Sequence, residues 1–338
     1  MSQAIIALDR NEYYFDHHVE VLNLFQFYNQ QGHSRYAAST DHVLLQNALA
    51  TLFKVDLQKI TLTHGAEDAL IKALAWLKLK YKTLVLEDFS WANYNHIAEG
   101  LGFQLKKVQT QIKADSFCLN TSELRNYLDS SEPSVVLLTS PNNPTGHEIS
   151  EKELYALLKS YPKHFFILDM VYAPFFKHEF APLLCSENSL FVGSFSKFFG
   201  LPGLRVGFAI GYLPKAFQLN LGLQPQAIQI CQTALQHIDW YQSNRNEMLT
   251  FAKSLERFKF KNISIFKTSA SFFLVKLPLF KDLEQILLFA EKQSFVRPKF
   301  LIKDKNPYLR FGLAPVNVCN KIEDYLSIID KKFDEKSF

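Results

Sequence analysis

The sequence predicts an α/β protein with a mostly parallel sheet covered on both faces, followed by a smaller α+β unit, and three observations carry that prediction. Four short runs, Thr83-Leu84-Val85-Leu86, Val135-Val136-Leu137-Leu138, Phe165-Phe166-Ile167-Leu168 and Leu190-Phe191-Val192-Gly193, are continuous rather than alternating. A strand with one face in water alternates apolar and polar residues, so these continuous runs belong to strands buried on both sides. Helical patterns over 67–80, 93–100, 122–128 and 150–160 lie between them and supply the cover. The third observation is that this alternation stops near residue 240.

Taken in order, the first forty residues are too few to fold alone and are expected to pack as an arm on the second unit or on a neighbouring subunit. Residues 41–238 form the expected large, cofactor-binding domain. Beyond it come a long helix over 239–258, apolar segments at 263–266 and 272–277, a helix near 283–293 and a segment at 308–313. These make a compact α+β unit, so that 1–40 and 239–338 together form the expected small domain with its N-terminal arm. There is no internal repeat and no low-complexity linker.

Composition narrows the function. With 338 residues, 48% of them hydrophobic, the chain can bury one large core and a second, smaller one. No apolar run reaches the roughly 18 residues that span a bilayer, and the start, MSQAIIALDRNEYYFDHH, lacks the regions of a signal peptide. A cytoplasmic protein with no membrane partner is expected. Cys118, Cys185, Cys231 and Cys319 lie far apart with no paired spacing, so neither a disulfide framework nor a metal site is expected. A net charge of +4 on scattered lysines gives no reason to expect nucleic acid. The 31 Phe and 14 Tyr are consistent with an aromatic dimer interface.

Open α/β sheets bind ligands beyond the carboxyl ends of their strands, so polar residues there carry the most weight. In Ser194-Phe195-Ser196-Lys197, followed by Arg205 across a loop rich in Gly and Pro, one amine sits beside hydroxyl and guanidinium donors. An aldehyde cofactor bearing a phosphate needs that set: Lys197 to form an imine, and Ser194, Ser196 and Arg205 for the dianion. Gly65-Ala66-Glu67 opens a helix, where free N–H groups bind an anion without a basic side chain.

Asp169 ends an apolar strand, where burial alone would favour its neutral form. Its carboxylate therefore needs a cationic partner. A protonated pyridine nitrogen would serve, worth roughly 4 kcal/mol at about 4 Å and an effective dielectric near 20, before desolvation. Tyr172 and Asn143 could donate to the ring's phenolic oxygen, and Trp91 or Tyr94 could stack on the ring. Each feature alone also reads as turn chemistry, capping or core packing; their convergence makes the site.

Asn143-Pro144-Thr145-Gly146, Asp169 with Tyr172, and the loop from Ser194 to Arg205 resemble, in order and spacing, the class I/II aminotransferases of fold type I, which use pyridoxal 5'-phosphate. The resemblance runs over nearly the whole chain and implies a three-layer aminotransferase fold. Within the superfamily the chain is most similar to the histidinol-phosphate aminotransferase branch, with the threonine-phosphate decarboxylases next. Asn11-Glu12, Arg35-Tyr36, Gly65-Ala66-Glu67-Asp68, Trp91, Phe295-Val296-Arg297 and Tyr308-Leu309-Arg310 resemble that branch's segments. The likeness implies that Tyr36 reaches the partner subunit's cofactor phosphate in a homodimer. It also implies that Arg310 binds the substrate carboxylate or phosphate with support from Arg297, and that Asn11 lies at the substrate.

The chain departs from the branch at Tyr13-Tyr14 and Ala37. The expected activity is amino transfer from histidinol phosphate, or an aromatic or related amino acid, to a 2-oxo acid such as 2-oxoglutarate. Lys197 first holds the cofactor and then acts as general base. Decarboxylation of the threonine-phosphate type is the alternative, and a non-catalytic ligand sensor ranks below both.

Overall fold

The computed structural model describes residues 4–29, 39–173, 186–218 and 222–335. Seven strands form the large sheet: β1 (Ile60–Thr63), β2 (Thr83–Glu87), β3 (Gln104–Val108), β4 (Val135–Thr139), β5 (Phe165–Asp169), β6 (Ser189–Ser194) and β7 (Gly207–Gly211). Their spatial order is β1-β7-β6-β5-β4-β2-β3. Only β7 runs antiparallel to its neighbours, while β6, β5, β4, β2 and β3 pair in parallel.

The four continuous apolar runs are β2, β4, β5 and β6, and their side chains divide by period two between two cores. Leu84, Leu86, Val135, Leu137, Phe165 and Ile167 face the helix Ala66–Lys78, packing with Ala69, Leu70, Ala73 and Leu77. Val85, Val136, Leu138, Phe166 and Leu168 face the other way, onto the helices Ser39–Phe53, Thr121–Ser130, Glu151–Ser160 and Pro225–Gln236. Both faces are dry, which is why no polar residue interrupts these runs. The edge strand β3, covered less, is buried only at Val108.

A separate core holds the C-terminal unit. An antiparallel sheet of Ser264–Ile265, Phe272–Lys276, Asn306–Gly312 and Lys299–Lys303, in that spatial order, packs against the helices Leu283–Ser294 and Val316–Glu335. The long helix expected over 239–258 is Ile238–Ser254 with a tighter turn at Leu255–Arg257, and it joins both cores, through Tyr241 and Met248. The N-terminal arm is divided likewise. Ile6–Ala7 pairs in parallel with Val296–Arg297 and Leu8 enters the small core, whereas Val21 enters the large one. No helix among the described residues is long and apolar enough to cross a membrane.

Candidate active site

The carboxyl ends of β2, β4, β5 and β6 open onto one cavity of about 730 Å³, roofed by the small sheet and by Asp9 and Arg10 of the arm. Ala66, Glu67, Trp91, Asn143, Asp169 and Tyr172 line it, as do Ser194, Ser196, Lys197, Arg205 and Arg310. The fold brings together residues up to 301 positions apart in the chain, from Asp9 to Arg310.

Asp169 is 5% exposed. Its Oδ2 accepts from the Tyr94 hydroxyl at 2.7 Å and its Oδ1 from the Val171 amide at 3.0 Å, and no lysine, arginine or histidine pairs with it among the described residues. Burial raises its pKa, and these two hydrogen bonds oppose the rise. Tyr94 also meets the Thr139 hydroxyl at 3.0 Å, and burial, with Asp169 beside it, raises the phenol well above its ordinary range. A buried carboxylate without a cation fits a ligand that brings one. Tyr94, which also lines the cavity, is thereby tied to the acid, a contact that only the fold reveals. Trp91 meets Tyr94 edge-on at 5.2 Å and lines the cavity.

Lys197 lies across the cavity. Its Nζ donates to the main-chain oxygens of Arg10 at 2.9 Å and Asn11 at 3.1 Å. Burial first, then the charges of Arg310 and Arg205, bring its pKa down to about 8, with Glu12 opposing. The neutral, nucleophilic amine is thereby accessible near physiological pH.

Between these two groups and the large sheet is an anion cradle. Gly65, at φ 83°, precedes the Ala66–Lys78 helix, whose first N–H groups have no partner within the helix. The Arg205 guanidinium packs against it, and a Cβ on Gly65 would stand 2.7 Å from Nη2. Ser194 Oγ lies 2.8 Å from Ser196 Oγ and 3.3 Å from the Val206 main-chain oxygen, and accepts from the Ser196 amide at 3.0 Å. Gly207 of β7 lets this helix start lie on the sheet, since a Cβ there would come within 2.4 Å of Gly65 C and 2.7 Å of Ala66 N. Gly207→Ala is therefore expected to push the helix start away and weaken pyridoxal-phosphate affinity at least about tenfold, with about 1–3 kcal/mol of overpacking. An absorbance titration of the apoprotein checks this.

At the far end, Arg310 is 8% exposed. It donates to Asn143 Oδ1 at 2.5 Å and to the Asp9 main-chain oxygen at 2.6 Å, while its Nε has no partner. Asn143 keeps both amide protons. The Tyr172 hydroxyl accepts from Asn11 Nδ2 at 3.0 Å and keeps its own proton.

Two expected residues stand elsewhere. Arg297 does not line the cavity: Val296 is fully buried, so period two turns Arg297 outward, where its side chain is 50% exposed and 4.0 Å from Glu291. Only its main chain supports the site, accepting from the Leu8 amide at 2.8 Å and so holding the arm that meets Arg310. Asn11 stands behind Tyr172 rather than in the cavity lining. Tyr36, with Arg35, lies outside the described residues. Sequence reasoning missed Thr139 and the lysines of the Lys299–Lys303 strand, where Lys303 pairs with Asp88 at 2.5 Å at the cavity edge. Thr139 carried a signal, a hydroxyl closing an otherwise apolar strand. The lysines carried none.

The family model for aminotransferase class I and II matches residues 3–276. A histidinol-phosphate aminotransferase from Ruminiclostridium cellulolyticum is 29% identical over 270 residues, 76% of this chain and 74% of its own. Another, from Psychrobacter arcticus, is 25% identical over 310 residues, 88% of this chain and 79% of its own. A histidinol-phosphate aminotransferase from Sinorhizobium meliloti, solved in complex with pyridoxal-5'-phosphate, superposes with a TM-score of 0.80 at 18% identity, covering 98% of this chain and 92% of that one.

Proposed function

Because this chain belongs to the class I and II aminotransferases and is a pyridoxal-phosphate-dependent enzyme acting on amino and oxo acids, we propose that it transfers the amino group of histidinol phosphate, or of an aromatic or related amino acid, to 2-oxoglutarate. The observation that carries this reading is the pairing, in one cavity, of a buried carboxylate that has no cation beside it among the described residues with a lysine whose pKa is lowered to about 8. When bound, the cofactor supplies an aldehyde for an amine and a pyridine ring that withdraws electrons from the substrate's α-carbon.

The residues present fit that group. Ser194, Ser196, Arg205 and the Ala66 and Glu67 amides would hold its phosphate, with Gly65 giving the helix start its approach. Asp169, its carboxylate fixed by Tyr94, would pair with the protonated ring nitrogen. Tyr172 and Asn143 would donate to the phenolic oxygen, and Trp91 would lie against the ring. The Lys197 amine would anchor the cofactor and serve as general base for the substrate's α-proton. Arg310 takes the substrate's carboxylate or phosphate, Asn11 orients Tyr172, and the arm's main chain excludes water above Lys197.

Within this proposal 41–238 is the cofactor domain and 1–40 with 239–338 the small domain with its arm. The enzyme is a cytoplasmic homodimer, and the support for the dimer is the resemblance of Arg35-Tyr36 to the family's segment.

The test is a donor screen with 2-oxoglutarate, comparing histidinol phosphate, aromatic amino acids and O-phosphothreonine. Glutamate formation fastest from histidinol phosphate supports the proposal, and carbon dioxide from O-phosphothreonine overturns it in favour of decarboxylation. Asp169→Asn provides a second check. Turnover is expected to fall about 10²–10³-fold, as for loss of one electrostatic stabiliser. The apoprotein should be as stable as the parent or slightly more so, because a desolvated carboxylate is removed; thermal unfolding without cofactor measures this.

A further inference from the structure

Beneath the turn that carries Asn143, outside the cavity lining, four polar side chains close a ring. Glu87, the last residue of β2, is 2% exposed, and no lysine or arginine pairs with it among the described residues. Its Oε1 accepts from Asn142 Nδ2 at 3.1 Å, and its Oε2 stands 3.3 Å from His147 Nε2. Thr145 Oγ1 donates to Asn142 Oδ1 at 2.9 Å and lies 2.7 Å from His147 Nδ1.

Donor counting sets the direction of two of these bonds. The carboxylate draws the Asn142 amide nitrogen toward itself, leaving Oδ1 as an acceptor for the single proton of Thr145. Thr145 Oγ1 and His147 Nδ1, 2.7 Å apart, link the turn to the imidazole, and Nε2 closes the ring as a 3.3 Å contact with Glu87 Oε2, which also accepts from Thr110 Oγ1 at 3.4 Å.

A buried polar network is best explained by the conformation it specifies. Here that conformation is the turn over 142–147, closed also by Asn142 N to His147 O and Gly146 N to Asn142 O, both at 2.8 Å. The next side chain, Asn143, meets Arg310.

We propose that Glu87 and His147 are positioning residues for the amino-transfer site: through Asn142 and Thr145 they hold the turn that aims Asn143 at Arg310, and so set the guanidinium that receives the substrate anion. This rests on the reading of Arg310 given above.

The test compares Thr145→Val, which keeps the shape but opens the ring, with Thr145→Ser, which closes it again, alongside Glu87→Gln and Arg310→Ala, all as holoenzymes with the preferred donor of the screen. Thr145→Val and Glu87→Gln are expected to raise KM about tenfold, with kcat changed less than about threefold, the pattern of lost uniform binding. Thr145→Ser should return KM to the parent value. In an Arg310→Ala background Thr145→Val should add nothing further, because both act on one contact.

If Thr145→Val and Glu87→Gln lower the melting temperature but leave KM within about twofold of the parent, the ring is merely structural and the inference is overturned. Should Thr145→Val not fold, Glu87→Gln decides alone. If Arg310→Ala leaves KM unchanged, the reading of Arg310 as anion anchor falls and takes this inference with it, whereas an effect of Arg310→Ala without one from the ring variants sinks the inference alone.

Discussion

Lys197→Ala is expected to abolish both the visible absorbance that the protein acquires with pyridoxal phosphate and its turnover, lowering the rate by at least about 10⁴-fold. One amine is asked to do two tasks, anchoring the cofactor and moving the α-proton, and loss of a general base alone costs about 10²–10⁴-fold. The pKa of about 8 makes the amine unusually available: at pH 8 half is neutral, against less than about 1% of an ordinary lysine. No neighbouring residue can replace it, because its Nζ is placed by the Arg10 and Asn11 carbonyls of the arm. Spectra of the purified variant after soaking with cofactor, and a coupled glutamate assay, check the result. Absorbance shifted as in the parent, or retained turnover, would remove the basis of the assignment.

Arg310→Ala is expected to lower kcat/KM by about 10²–10³-fold, mainly through KM. Truncating one member of a buried, charge-assisted contact costs about 2–5 kcal/mol, partly because its partners are left unpaired. Here those partners are Asn143 Oδ1 and the Asp9 carbonyl. Arg310→Lys should recover little, since an ammonium cannot reach both acceptors and a substrate anion with one planar fork. Steady-state kinetics with the preferred donor and with 2-oxoglutarate separate the two half-reactions. A KM within twofold of the parent for both substrates would rule the role out.

Much of the site was legible because strand ends are where this architecture places ligands. Asp169, Lys197 and Asn143 each follow a continuous apolar run, and each lines the cavity. Arg297 and Arg310 show where legibility ends. Both follow an apolar strand pattern in the C-terminal unit, and nothing local tells them apart. Register does: Arg310 sits mid-strand, paired with Leu274 and Lys299, and faces the cavity, while Arg297 belongs to a two-residue pairing with Ile6–Ala7 and turns to solvent. Tyr94 shows the same limit, since nothing local to a tyrosine after a strand announces the 2.7 Å bond that its hydroxyl makes to Asp169.

The sequence by itself determined the layered α/β class, the family and the residues able to carry the chemistry, because hydrophobic periodicity and the order of polar strand ends are local properties. The tertiary structure alone decided which of two arginines enters the cavity, that the arm's main chain roofs Lys197, and that Glu87 closes a ring with His147. Those outcomes depend on strand register and on contacts between residues 60 to almost 190 positions apart, and a linear pattern holds no record of either.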